Sequence, residues 1–221
     1  GIAMENKYKS RGISRLLGLL FVVSFYCFLY VPIVVLILFS FNNAPFPSAW
    51  AGLTGHWYRE LWFESFIWKS LYNSCIVSLS AVVLSTVMGI GIIFYIAPGG
   101  KAHKMLSQFY FNLIFPEIVL AVGLLSLFVF FSIPCGAMSL IAAHTVLGLG
   151  YVVPIVSARY NELDYRLTEA ALDLGASRIR AFFTITLPLL KSTIYGAAIL
   201  VFIISFDDFV LAYFCAGTSF Q

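Results

Sequence analysis

Three carboxylates stand out because they fall inside long apolar stretches of the sequence. Glu117 lies in one such stretch, and Asp207 and Asp208 lie in another. A carboxylate at the centre of a membrane-spanning helix costs about 2.5–3.5 kcal/mol on insertion scales, so acids in such positions usually have a function. No Lys, Arg or His lies close to these acids within either stretch. We therefore expect the compensating group to come from another chain, from water or from a transported cation.

Two interpretations of these acids remain open. They line a path for a polycation, which binds carboxylates spaced along the path and aromatic faces between them, or they form structural hydrogen bonds between spans. Since successive helical residues point about 100° apart, at most one of Asp207 and Asp208 faces such a path. His144, in a third apolar stretch, is either a proton carrier or a packed histidine that hydrogen-bonds across the bundle.

Residues 164–188 have the pattern of two short helices joined by a tight turn. Apolar residues recur there at spacings of three, four and seven: Leu163, Leu167, Ala170, Ala171 and Leu174. Gly175 follows, where a left-handed residue would end the first helix, and Ser177 can cap the second. We expect Pro188 to stop the second helix and to begin the next span. Taken alone, the pattern also fits an amphipathic linker at the membrane interface.

The composition excludes a soluble protein. Of the 221 residues, 61% are apolar and only 10% are charged, whereas soluble chains carry roughly a quarter charged residues. Lipid must therefore surround most of the chain. The net charge of +3 is small and dispersed, which argues against a nucleic-acid partner.

The motifs of enzymes and metal sites are missing from the sequence. The four cysteines have no CxxC spacing, so no metal site is predicted. Gly99-Gly100-Lys101-Ala102 lacks the hydroxyl of a phosphate-binding loop, and HExxH and GxSxG do not occur. We expect no catalytic residues and no bound cofactor in this chain.

Five apolar stretches are long enough to cross a bilayer core, which takes about 20 residues. They predict an all-α integral membrane protein with five spans, at residues 16–41, 71–97, 105–132, 139–158 and 189–216. Residues 1–15 form an N-terminal tail, residues 42–70 a Trp-rich loop and residues 159–188 an amphipathic segment. Residues 16–216 thus make one transmembrane domain.

The orientation follows from the basic residues. Eleven of the thirteen Lys and Arg residues lie in the tail, in the turn at 97–104 or after the fourth span, leaving Arg59 and Lys69 on the other side. By the positive-inside rule, the N-terminus and residues 159–188 are cytoplasmic. Residues 42–70 and 217–221 are then external. We expect the chain to be truncated before a last span.

The amphipathic segment carries a family signature. Glu169, Ala170 and Ala171, then Gly175, then Ile185, Leu187 and Pro188 resemble the EAA---G---------I-LP signature of ABC-importer permeases of the type I, MetI-like family, with every fixed position matched. The similarity is greatest to the family's spermidine/putrescine branch. It extends over four further segments: 30–42, 50–58, 115–119 and 205–210.

This resemblance implies a MetI-like permease fold, whose core has six spans, in a bacterial inner membrane. The signature residues would form a cytoplasmic elbow that docks on a pair of ATPase subunits, and those subunits would bind ATP and Mg²⁺. A second permease, making a heterodimer, and a periplasmic or extracellular substrate-binding protein are the other expected partners. Polyamine cargo would pass Glu117, Asp207 and Asp208. The alternatives are another substrate, or an ion-coupled carrier or channel that uses these acids and His144.

Overall fold

The computed structural model describes residues 2–45, 47–96, 106–110 and 114–217. Most of these residues are helical, and the one extended pairing among them is an isolated antiparallel bridge between Asn42 and Leu53. The chain divides into two units, residues 1–67 and 68–221. The predicted turn near Pro98, with Lys101 and Lys104, and residues 218–221 lie outside the described residues.

The first unit contains a long helix followed by a folded loop. Helix α1 runs from Ile2 to Phe39, so the predicted tail is helical and continuous with the first span. Helix α2 follows at His56–Phe63. Asn42 organises the loop between them, because its buried amide accepts a hydrogen bond from the Ala51 N–H at 2.7 Å and donates one to the Ala49 carbonyl at 3.1 Å.

The remaining helices follow in chain order. They are α3 (Ser65–Ile96), a 3-10 turn (Ser107–Tyr110), α4 (Glu117–Phe130), α5 (Ala137–Glu162), α6 (Arg166–Asp173), α7 (Arg178–Ala181), a π-helical turn (Phe182–Thr186), α8 (Leu187–Asp207) and α9 (Val210–Cys215). In the described chain, four segments are long and apolar enough to cross a membrane: Arg15–Phe39, Ser65–Tyr95, Ala137–Glu162 and Arg178–Asp207.

The third predicted span, residues 105–132, is not of spanning length in the described chain. Helix α4 has 14 residues and begins at Glu117. The reason is Pro116, since a proline lacks the N–H that continues a helix and the residue before it avoids the helical conformation. Glu117 therefore occupies the first turn of α4 and not the interior of a continuous helix.

The fifth predicted span, residues 189–216, is broken into two helices. Helix α8 ends at Asp207, and Asp208 has an extended backbone before α9 begins at Val210. Pro188 lies in the first turn of α8, as expected for the start of a span, but it does not stop the preceding helix, because the chain stays helical through it. The π-helical turn lets the Leu187 N–H bond to the Phe182 carbonyl, five residues back. This wider turn accommodates a proline, which would otherwise clash with the carbonyl four residues before it.

Helix α5 forms the centre of the second unit. Its buried Val152 and Val156 pack against Leu190 and Ile194 on α8. At Gly148, the helices approach so closely that a β-carbon would lie 2.7 Å from the Ser85 Oγ of α3. Packing around α5 therefore fixes the positions of α3 and α8, and hence of the acids at the end of α8.

Candidate functional site

Asp208 is the anchor of a buried group of polar side chains at the break between α8 and α9. Its Oδ1 accepts hydrogen bonds from the backbone N–H groups of Val210, at 2.7 Å, and Leu211, at 3.2 Å. These are N–H groups of the first turn of α9, which have no partner within the helix. Asp208 therefore caps α9 and supplies hydrogen-bond acceptors to backbone N–H groups that the break between α8 and α9 leaves without helical partners.

His144 joins Asp208 to the neighbouring helix. Its Nδ1 lies 2.9 Å from the Ser205 Oγ of α8, and its Nε2 lies 3.6 Å from the Asp208 Oδ2. The side chains of His144 and Asp208 are only 2% and 1% exposed. The structure therefore corrects the expectation that compensation must come from outside the chain. Of the two interpretations of His144, this geometry matches the packed histidine that hydrogen-bonds across the bundle.

Glu117 belongs to the same cluster, whereas Asp207 does not. The Glu117 carboxyl lies close enough to Asp208 for the charges of the two groups to interact. Asp207 is exposed and lies outside this group. We call Glu117, His144, Ser205 and Asp208 the acid–histidine cluster. It contains two carboxyl groups and one imidazole, so it favours the approach of a cation.

The segment between α5 and α8 contains the predicted turn. Gly175 has φ of +86°, in the left-handed region that favours glycine. The Gly175 N–H bonds to the Leu172 carbonyl at 2.9 Å, and the Ala176 N–H bonds to the Ala171 carbonyl at 3.0 Å. This pair of bonds is a Schellman motif. Ser177 Oγ accepts the Arg180 N–H at 3.3 Å, so the predicted caps on both sides of the turn are confirmed.

The signature residues of this segment are distributed over its surface and its inner side. Glu169, Ala170 and Pro188 are exposed, while Ala171, Ile185 and Leu187 are half-buried. Three apolar side chains of the segment are uncovered: Leu167 is 49%, Leu174 89% and Ile179 60% exposed. An uncovered apolar surface of this kind is typical of a contact with another protein or with a membrane.

A cavity of about 680 Å³ lies behind the turn. Glu169 and Arg178 border it from the segment, and Tyr95 and Tyr160 border it from the ends of α3 and α5. Glu169 therefore faces an open space next to the bundle and has no ion pair in the described part of the chain.

Sequence reasoning missed His144 as the partner of Asp208. The two residues are separated by 64 positions in the chain, and neither has a spacing motif that would connect them. The available signal was weak: an acid followed by Phe209 and Val210 is a possible N-cap, which would have indicated the break.

Comparison with known proteins places the chain among transport proteins. It is 34% identical over 200 residues to the spermidine/putrescine transport system permease protein PotC of Haemophilus influenzae, covering 89% of this chain and 77% of the relative. It is 32% identical to PotC of Escherichia coli K12, covering 95% and 80%, and 31% identical to the putrescine transport system permease protein PotI of that strain, covering 87% and 72%. No protein-family model matches the chain.

Proposed function

We propose that this chain, which belongs to the family of spermidine/putrescine transport system permease proteins, forms the translocation path of a bacterial polyamine importer driven by a separate ATPase. The observation that carries this proposal is the similarity to PotC, which extends over most of both chains. The polyamine cargo is taken from the names of these relatives. The chain itself serves as a transport subunit and performs no covalent chemistry.

The acid–histidine cluster supports a cationic cargo. Polyamines carry several protonated amines, and Glu117 and Asp208 supply carboxyl groups that can attract them. Asp207, exposed on the surface of this chain, would be costly in lipid. We infer that it faces either the water-filled path or the second permease chain, which would complete that path in a heterodimer.

The segment 164–188 is proposed as the coupling elbow of a MetI-like permease. Its turn at Gly175 orients α6 and α7, and its uncovered apolar side chains supply a surface for a cytoplasmic ATPase subunit. Two ATPases that close on ATP and Mg²⁺ would move the elbow of each permease with them. The permease pair would then alternate between inward-open and outward-open states.

The proposed setting is the bacterial inner membrane, with the N-terminus in the cytoplasm. The distribution of Lys and Arg supports this orientation. The loop between α1 and α2 would then face the periplasm or the cell exterior, where a substrate-binding protein delivers the polyamine. The assembly therefore needs four kinds of chain: this permease, a second permease, the ATPase and the binding protein.

Uptake by proteoliposomes that contain the assembled transporter tests this proposal. We expect radiolabelled putrescine or spermidine to enter only when the binding protein is outside and ATP is enclosed with the ATPase. Omitting this permease should abolish uptake. Uptake of neither polyamine, with another solute transported instead, would contradict the cargo.

The second candidate, an ion-coupled carrier, would have to use the buried His144 beside Asp208 as a proton relay. Such a carrier would accumulate polyamine in vesicles that lack the ATPase when a proton gradient is imposed. The ABC importer would not, so this experiment separates the two functions.

A further inference from the structure

A second cavity, of about 520 Å³, opens beside the acid–histidine cluster. It lies among α3, α5 and the broken α8–α9 segment, and its volume is within the range of roughly 300–1,000 Å³ that small-molecule sites occupy. His144, Ser205 and Asp208 form part of its wall. Asp208 of the cluster thus lines the cavity directly. The lining residues outside the cluster have no role in the function proposed above.

Helix α3 supplies polar groups to this cavity. Ser70, Asn73 and Ser74 all line it. Asn73 is half-buried, and its side chain has no hydrogen-bond partner among the described residues. An unpaired amide next to a cavity in a membrane protein is costly unless water or a ligand satisfies it. Its carbonyl oxygen is free to accept a hydrogen bond from a ligand.

Two aromatic side chains form another part of the wall. Phe209 and Tyr213 both line the cavity, with their ring centroids 5.7 Å apart and their planes inclined by 37°. Aromatic faces attract cations, and the attraction strengthens when the cation loses its water. Among the residues that the structure describes, no Lys or Arg lines the cavity. Lys69 precedes Ser70 in the chain, but its side chain is exposed and lies outside the lining.

The cavity therefore combines a buried negative charge, a free amide oxygen and two aromatic rings. Asp208 makes its hydrogen bonds to the backbone of α9, so its role toward a ligand is electrostatic. The carbonyl oxygen of Asn73 is then the group available to accept a direct hydrogen bond from an N–H donor. A carboxylate or phosphate ligand would be repelled, and a purely apolar ligand would leave the amide unpaired.

We propose that this cavity is a binding subsite for one alkylammonium end of the cargo, with Asn73 as the residue that selects the ammonium group. The inference rests on the proposed function and adds to it a specific location and a specificity-determining residue. The cavity would discriminate by charge and by the hydrogen bond to Asn73.

Thermal stabilisation of the assembled transporter, purified in detergent without the binding protein, tests the subsite. The probes are n-butylamine, butyrate and n-butanol, which share an alkyl chain and differ in the charged or polar end. We expect n-butylamine alone to raise the unfolding temperature, in proportion to ligand occupancy. Equal stabilisation by n-butanol, or none by n-butylamine, would overturn the subsite.

Substitutions at Asn73 test whether this residue binds the ammonium group. Asn73→Leu, which keeps the branched shape but removes the acceptor, should weaken the apparent Kd for n-butylamine about tenfold, since a hydrogen bond to a charged group is lost. Asn73→Asp should restore or strengthen binding. Ser126→Ala is the matched control, because the Ser126 hydroxyl bonds only to its own helix, at the Val122 carbonyl. An unchanged Kd in Asn73→Leu, or equal losses in both Asn73 variants, would overturn the assignment.

Polyamine uptake by the same preparation separates this inference from the proposed function. If the unaltered transporter moves putrescine but does not bind n-butylamine at this cavity, the subsite is wrong and the proposed function stands. If it moves no polyamine, the proposed function itself fails.

Discussion

Replacing Gly148 by alanine tests the packing that holds the acid–histidine cluster in place. A β-carbon at this position would lie 2.7 Å from the Ser85 Oγ, 2.8 Å from the Ser85 Cβ and 3.0 Å from a Val201 methyl group. The Ser85 hydroxyl can rotate away, but its β-carbon is fixed to the backbone of α3. Helices α3 and α5 must therefore separate to admit the added methyl group.

The magnitude follows from the cost of overpacking. An extra methyl group in a tightly packed interior typically costs about 1–3 kcal/mol. In a chain of this size, each kcal/mol lowers the unfolding temperature by about 2–4 °C, so we expect a loss of about 2–12 °C. The better helix propensity of alanine offsets this by up to about 1 kcal/mol.

The assay is thermal unfolding of the purified protein in detergent, followed by circular dichroism. Gly123→Ala is the control, because a β-carbon at Gly123 on α4 would meet nothing within 4 Å. Ser85→Gly removes the obstructing β-carbon, so Gly148→Ala should cost less stability in a Ser85→Gly background than in the native protein. If Gly148→Ala is as stable as Gly123→Ala, or if its cost is the same in both backgrounds, the packing described for these helices is wrong.

Three further predictions concern the cap, the loop and the orientation. Asp208→Ala should cost about 1–2 kcal/mol by uncapping α9, while Asp208→Asn keeps a capping oxygen and should retain most of the stability; equal losses in unfolding temperature would refute the cap. Asn42→Ala removes two hydrogen bonds of the folded loop and should speed proteolysis of residues 42–55, and an unchanged cleavage rate would count against this role. Ser177→Cys, with the four native cysteines replaced, should react with a membrane-impermeant maleimide from the cytoplasmic side; labelling only from outside would reverse the proposed orientation.

The sequence predicted several local features of the fold correctly. A glycine that follows an apolar helical repeat, with a serine two residues later, predicts a left-handed turn and a capped helix, and Gly175 and Ser177 have these conformations. Such signals act within one turn of helix, where the backbone hydrogen bonds depend on a few neighbouring residues. The apolar character of the spans was readable for the same reason, because lipid exposure acts on each residue directly.

Features that depend on contacts between distant residues could not be predicted from the sequence. No periodicity places His144 beside Asp208, because their contact depends on how α5 packs against the end of α8. The helix through Pro188 depends on a π-helical turn that residue preferences alone do not predict. Apolar composition is uniform around Pro116, so composition alone does not show that a new helix begins at Glu117.

The central claim is that the segment 164–188 transmits the work of a separate ATPase to the membrane helices. The most direct test measures ATP hydrolysis and putrescine uptake together in proteoliposomes that hold the assembled transporter with Gly175→Val. Valine is strained at the φ of +86° that this turn requires. The matched control is Gly123→Val, at a helical position with open space around it. We predict that hydrolysis continues while uptake is lost in Gly175→Val and is kept in the control. Unchanged uptake in Gly175→Val, at equal abundance in the membrane, would contradict the claim.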